Sequence, residues 1–141
     1  MLAQSFKTAA ELDLTDVRYD ALCKVLAFFE QEKVEYRHYD GMWGVPTEGE
    51  WFSMSTWIIT HGCGTVACIG GWAAQLVDDR WVFGNHQEKD YWENHPRLRQ
   101  LFCGSNTKKF ASQITVEEAA RCLRTYLETG VVDWNKAICL A

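Results

Sequence analysis

The sequence predicts a mainly α fold: a single compact helical domain of about five helices, with an aromatic loop and room for a minor short β element. Three observations predict it. Apolar residues recur at three- and four-residue steps in several stretches, residues that start and stop helices flank the last long stretch, and turn-forming glycine and proline gather in one segment, 36–49.

The first helix is expected from about Asp16 to Lys33. Thr15 supplies the N-cap, and Val17, Ala21, Leu22, Val25, Phe28 and Phe29 share one face. Tyr36 to Gly49 mixes aromatics with Gly41, Gly44, Pro46 and Gly49, which suits an aromatic loop and not a periodic element. Met54, Trp57 and Ile58 fit one face of a short helix after Ser53, although the β-branched run Ile58, Ile59, Thr60 also suits a strand; the helix is the favoured reading. Thr65 is expected to open the next helix, whose Ile69, Trp72, Ala73, Leu76 and Val77 follow the amphipathic template. Arg80 to Trp92 is expected to be mostly irregular, with Trp81, Val82 and Phe83 as a strand alternative.

Pro96 suits the first turn of a short helix carrying Leu98, Leu101 and Phe102 and ended by Gly104. The last long helix has the clearest boundaries. Ile114 precedes a Thr115 cap, Glu118 completes a capping box, Ala119, Leu123, Tyr126 and Leu127 form the core face, and Gly130 marks the exit. Asp133 caps a final short helix with Trp134 and Ile138.

With 141 residues, 48% of them hydrophobic, the chain can bury a core as one domain, 1–141. A net charge of −5 with no basic stripe argues against polymeric nucleic acid as a partner. No apolar run approaches the ~20 residues that span a bilayer, and Met1 to Asp13 lacks the charged start and apolar core of a secretory signal. No membrane association and a cytoplasmic setting are therefore expected. In that setting the six cysteines read as reduced thiols, with Cys23, Cys122 and Cys139 as small core residues. Seven Trp, seven Phe and five Tyr exceed the needs of a small helical core, so some are expected to line a groove or a partner surface.

The concentrated chemistry lies between Trp57 and Trp72, where two thiols, an imidazole, four glycines and two indoles fall within sixteen residues. One reading is a ligand cradle. Gly62 and Gly64 would leave backbone N–H groups uncovered at the start of a helix opened by Thr65, suiting a phosphate or carboxylate, with Trp57 or Trp72 stacking on a ring. Candidate ligand-binding residues are Trp57, His61, Cys63, Gly64, Thr65, Cys68 and Trp72. No phosphate-loop or dinucleotide fingerprint is complete and no cofactor is implied.

A second reading is thiol chemistry, since Cys68 in a first helical turn would have a lowered pKa, and Cys63, five residues away, could form a reversible disulfide. A third is zinc on His61, Cys63 and Cys68, for which no second close pair of ligands exists: Cys103, Cys122 and Cys139 stand nineteen and seventeen residues apart. The plain alternative is that Gly70 and Gly71 let helices pack closely while the cysteines and tryptophans fill the core. No catalytic motif is complete, which favours a binding protein over an enzyme.

Cys63-Gly64-Thr65-Val66-Ala67-Cys68-Ile69-Gly70-Gly71-Trp72-Ala73 resembles the Cys-Gly-Thr, Ala-Cys-Ile, Gly-Trp-Ala signature of small uncharacterised proteins of bacteria and their phages. The lead-in Phe52, Met54, Trp57 and the closing Thr129, Gly130, Asp133, Trp134 are similar too, so about two thirds of the chain is covered; Gly70 stands where Ala is expected. The resemblance implies no reaction. It implies a phage or bacterial setting, in which small phage-encoded proteins without catalytic motifs often act on host machinery or defence and some sequester nucleotide immune signals. The expected partner is thus a small anionic or nucleotide-like molecule. The alternative is a host protein bound through exposed aromatics such as Trp43 and Trp51, and a homo-oligomer is compatible with either.

Overall fold

Thr15 starts the first helix as its chemistry dictates: its backbone is extended and its Oγ1 accepts from the Arg18 N–H at 3.2 Å. The computed structural model describes residues 6–31, 35–36, 48–52, 58–61, 63–79, 81–84, 87, 89, 91–103 and 114–139, with the backbone alone in 35–36, 48–52, 58–61, 63–67 and at Cys139. Five α-helices dominate it: α1 (Asp16–Glu30), α2 (Ile69–Leu76), α3 (Pro96–Cys103), α4 (Val116–Thr129) and α5 (Trp134–Cys139). The mainly α expectation holds.

The β element is larger than the minor one foreseen. Four short strands, β1 (Glu35–Tyr36), β2 (Glu48–Phe52), β3 (Ile58–His61) and β4 (Cys63–Ala67), form one sheet in the order β1-β2-β4-β3. β1 and β4 run parallel to β2, with Glu48 opposite Cys63 and Phe52 opposite Ala67, while β3 lies antiparallel to β4 with His61 opposite Gly64. Two expectations are corrected here. Ile58 to His61 is a strand and not part of a short helix, and Thr65 to Ala67 complete the strand Cys63–Ala67 and do not open α2. The physical reason is that β-branched Ile58, Ile59, Thr60, Thr65 and Val66 suit a pleated surface, and β4, paired on both sides, has partners for its backbone that no local helix offers. Of the segment expected to be an aromatic loop, Tyr36 belongs to β1 and Glu48 and Gly49 to β2, and residues 37–47 lie outside the described residues.

α2 consequently begins three residues later than expected, with Cys68 and not Thr65 as its N-cap, in extended conformation. α1 packs on α2 and on α4, α4 on α5, and α3 on α2. The described core joins Leu22, Val25 and Leu26 of α1, Ile69, Trp72 and Ala73 of α2, Leu98 and Leu101 of α3, and Leu123, Tyr126 and Leu127 of α4. Val17, read as part of the core face, is 59% exposed, and the buried residues of α1 are Arg18, Ala21, Leu22, Val25, Leu26 and Phe29. Phe28 is half-buried and packs its ring 5.0 Å from that of Trp72.

The boundary signals of α4 are realised in full. Thr115 and Glu118 form the reciprocal capping box, and Gly130 ends the helix in the left-handed region at φ 78°. α1 ends at Glu30, and the rest of its expected length, 32–33, lies outside the described residues. Asp133 Oδ1 accepts from the Lys136 N–H at 3.0 Å, so it caps α5 as expected, and the Trp134 indole N–H donates to the Gln100 carbonyl. Residues 81–83 form turns, in line with an irregular segment. Among the described residues no helix is long and apolar enough to cross a membrane.

Candidate functional site

Of the seven residues singled out in the sequence, Cys68 and Trp72 have described side chains, and both are in the core at 2% exposure. Trp72 is committed to the α1–α2 contact, where it meets Phe28, so it offers no open face for a ligand ring. Ile69, Gly70 and Gly71, the first turn of α2, are buried as well. His61, Cys63, Gly64 and Thr65 are strand positions: His61 and Gly64 face each other across β3 and β4, and Thr65 pairs with Thr60 and Glu50. The N–H groups expected to be uncovered around Gly64 and Thr65 therefore lie within a sheet. Trp57 and Gly62 lie outside the described residues, as does Trp43; Trp51 is a β2 position.

The expectation of a lowered Cys68 pKa is corrected. Burial pushes this thiol up from 9.0 to about 11, while the backbone N–H groups of Gly71, Gly70 and Cys68 itself pull the other way and lose. A thiol so protonated at neutral pH is a poor nucleophile. Cys122, wholly buried, is pushed up to about 12 for the same reason, as a core residue should be. Cys68, Cys23, Cys103 and Cys122 are all thiols and not halves of disulfides, and no group of three or more His, Cys, Asp or Glu side chains among the described residues is placed to hold a metal.

What the fold does build is a cleft of about 560 Å³ between the segment entering α1 and the segment entering α3. One wall is Ala10, Asp13, Leu14, Thr15 and Arg18; the other is Lys89, Tyr91, Asn94, His95 and Pro96. Its size falls in the range of small-molecule sites. Two helix N-termini open at it, those of α1 and α3, each contributing the positive end of its dipole. Arg18 and Lys89 add cationic charge, and Asp13 is the one carboxylate among the described lining residues.

Each wall is held by its own chemistry. Arg18 is only 8% exposed, and its Nε–H donates to the Val82 carbonyl at 2.9 Å, which fixes the side chain beside the cleft. Asp13 sits at φ 56°, in the left-handed region that aspartate tolerates better than most residues, within a turn closed by the Leu14 N–H bond to the Ala9 carbonyl. Opposite, the Asn94 side-chain amide donates to the Lys89 carbonyl at 3.2 Å, and a single 3-10 turn, Trp92–Asn94, leads into His95 and α3. Tyr91 is half-buried and packs its ring 5.4 Å from Trp92.

Sequence reasoning missed this cleft. Thr15 and Pro96 were read as helix starts, yet nothing local says that two helix starts 81 positions apart in the chain face one space. Comparison with known proteins found no matching family model, no matching curated protein and no matching solved structure. The functional reading accordingly rests on the residues and their geometry.

Proposed function

We propose that this is a non-enzymatic binding protein that takes a small anionic ligand, of nucleotide or phosphate type, in the cleft between the α1 and α3 entries. One observation carries the reading: an acidic chain of net charge −5 gathers Arg18, Lys89 and two helix N-termini around a cleft of ligand size, beside a half-buried tyrosine ring. The proposed site is then residues 10–18 and 89–96 in place of residues 61–72, while the ligand class stays the one expected from the sequence. In the phage or bacterial cytoplasm that the signature resemblance implies, holding a nucleotide signal without turning it over is sequestration.

A thermal-shift screen with inorganic phosphate, mononucleotides, cyclic dinucleotides and ADP-ribose tests the proposal. A ligand present at about a hundred times its Kd adds about 2.7 kcal/mol, which raises the Tm by several degrees in a domain of this size. Lys89→Glu, an exposed position, removes the rise without altering the Tm of the unliganded protein. If none of these anions raises the Tm, the reading is wrong.

A protein-binding module is the second reading, favoured by Trp81, whose side chain is 54% exposed in the turn after α2. Exposed tryptophans of this kind anchor protein interfaces. Trp81→Ala abolishing capture of a host protein while leaving anion binding intact would assign it that role.

A further inference from the structure

His95 lines the cleft, yet both of its ring nitrogens are already committed within the protein. The Leu98 N–H donates to Nδ1 at 3.2 Å, so Nδ1 carries no proton. A neutral imidazole then carries its proton on Nε2, and Nε2, 3.0 Å from the Asp13 carbonyl oxygen, is the donor there. One ring thus performs two tasks: it caps the first turn of α3 and it holds the carbonyl of a turn residue in the left-handed region.

We infer that His95, fixed in the Nε2–H tautomer, is the positioning residue of the cleft: a latch that ties the Asp13 wall to the α3 wall and sets the distance between them. This rests on the cleft being the ligand site, and it assigns His95 no contact with the ligand. The two walls come from parts of the chain 82 residues apart, and this ring links one directly to the other. A locked side chain that bridges the two walls of a site helps to set the geometry between them.

The two halves of the latch can be separated by substitution. In His95→Asn the carboxamide oxygen reaches the position of Nδ1 and keeps the α3 cap, since asparagine is among the best N-cap residues, but nothing reaches Asp13. In His95→Gln the longer amide reaches toward the position of Nε2 and the Asp13 carbonyl. The measurements, on the full chain, are ¹⁵N NMR of the His95 ring, amide exchange at Leu98 and Leu14, and affinity for ADP and inorganic phosphate.

The expected result is a protonated Nε2 and an unprotonated Nδ1 in the wild type. In His95→Asn, Leu98 keeps slow exchange, Leu14 exchanges faster and affinity falls about tenfold or more; in His95→Gln, Leu14 protection and much of the affinity return. A protonated Nδ1, or a His95→Asn protein with Leu14 and affinity both unchanged, overturns the latch. If wild-type protein binds neither probe, the ring tautomer and Leu14 exchange alone decide the latch, and the ligand reading is decided separately by the wider anion screen.

Discussion

The Nε–H of Arg18 donates to the carbonyl of Val82, 2.9 Å away and 64 positions later in the chain, at a site where Arg18 is 8% and Val82 7% exposed. This bond joins the cleft side of α1 to the turn that follows α2. A charged donor to a buried carbonyl contributes about 1.5–3 kcal/mol, and its removal leaves the carbonyl without that donor. Arg18→Gln is therefore expected to lower stability by about 2 kcal/mol in urea denaturation. A loss within about 0.5 kcal/mol would show that the contact contributes nothing measurable.

Alkaline pH destabilises the fold. Cys68 rises from 9.0 to about 11, Cys122 from 9.0 to about 12 and Tyr126 from 10.0 to about 12, each chiefly through burial. Below about pH 9 these groups are protonated in both states and the slope is flat. Above it the unfolded thiols lose protons that the folded ones keep, so stability falls as pH rises, by at most about 1.4 kcal/mol per pH unit for each group. Urea midpoints at about pH 8 and about pH 10 should differ accordingly, and Cys68→Ala should make the decline shallower. Equal midpoints would contradict the burial of these thiols.

Gly130 closes α4 at φ 78°, and a Cβ built there would meet Leu12 Cδ2 at 3.6 Å and Lys7 Cδ at 3.7 Å, ordinary contact distances. Space is available, so the cost of Gly130→Ala is conformational. It should be about 1–2 kcal/mol, the penalty of the left-handed region for a residue with a Cβ. Gly130→Asn should recover part of it, because asparagine visits that region more readily. Thermal unfolding of the two variants measures the difference.

Tyr126 is fully buried, and its hydroxyl has no hydrogen-bond partner among the described residues. Removing an unpaired buried polar group relieves its desolvation, so Tyr126→Phe should leave stability unchanged or raise it by about 1 kcal/mol. Tyr126→Ala, which removes the ring as well, should cost about 3–5 kcal/mol through the cavity it leaves. A clear loss in Tyr126→Phe would mean that the hydroxyl is paired in solution.

Elements whose information is local are legible in the chain before it folds. The capping box of Thr115 and Glu118, the left-handed exit at Gly130, the Asp133 cap and the Pro96 helix start each need only residues within one or two turns, and each stands where its chemistry puts it. The apolar spacing of Ile69, Trp72 and Ala73 likewise marked a helix that buries that face. Where α2 begins was decided elsewhere: residues 63–67 are a strand because Glu48–Phe52 and Ile58–His61 lie on either side of them, and strand pairing between distant segments leaves no local periodic trace. The same holds for chemistry. Cys68 and Trp72 look like site residues in a string of letters and are core residues in the fold, whereas Arg18 and Lys89, unremarkable in the string, share one cleft with His95. Burial and the meeting of remote segments are properties of the folded chain, and no local pattern of residues carries them.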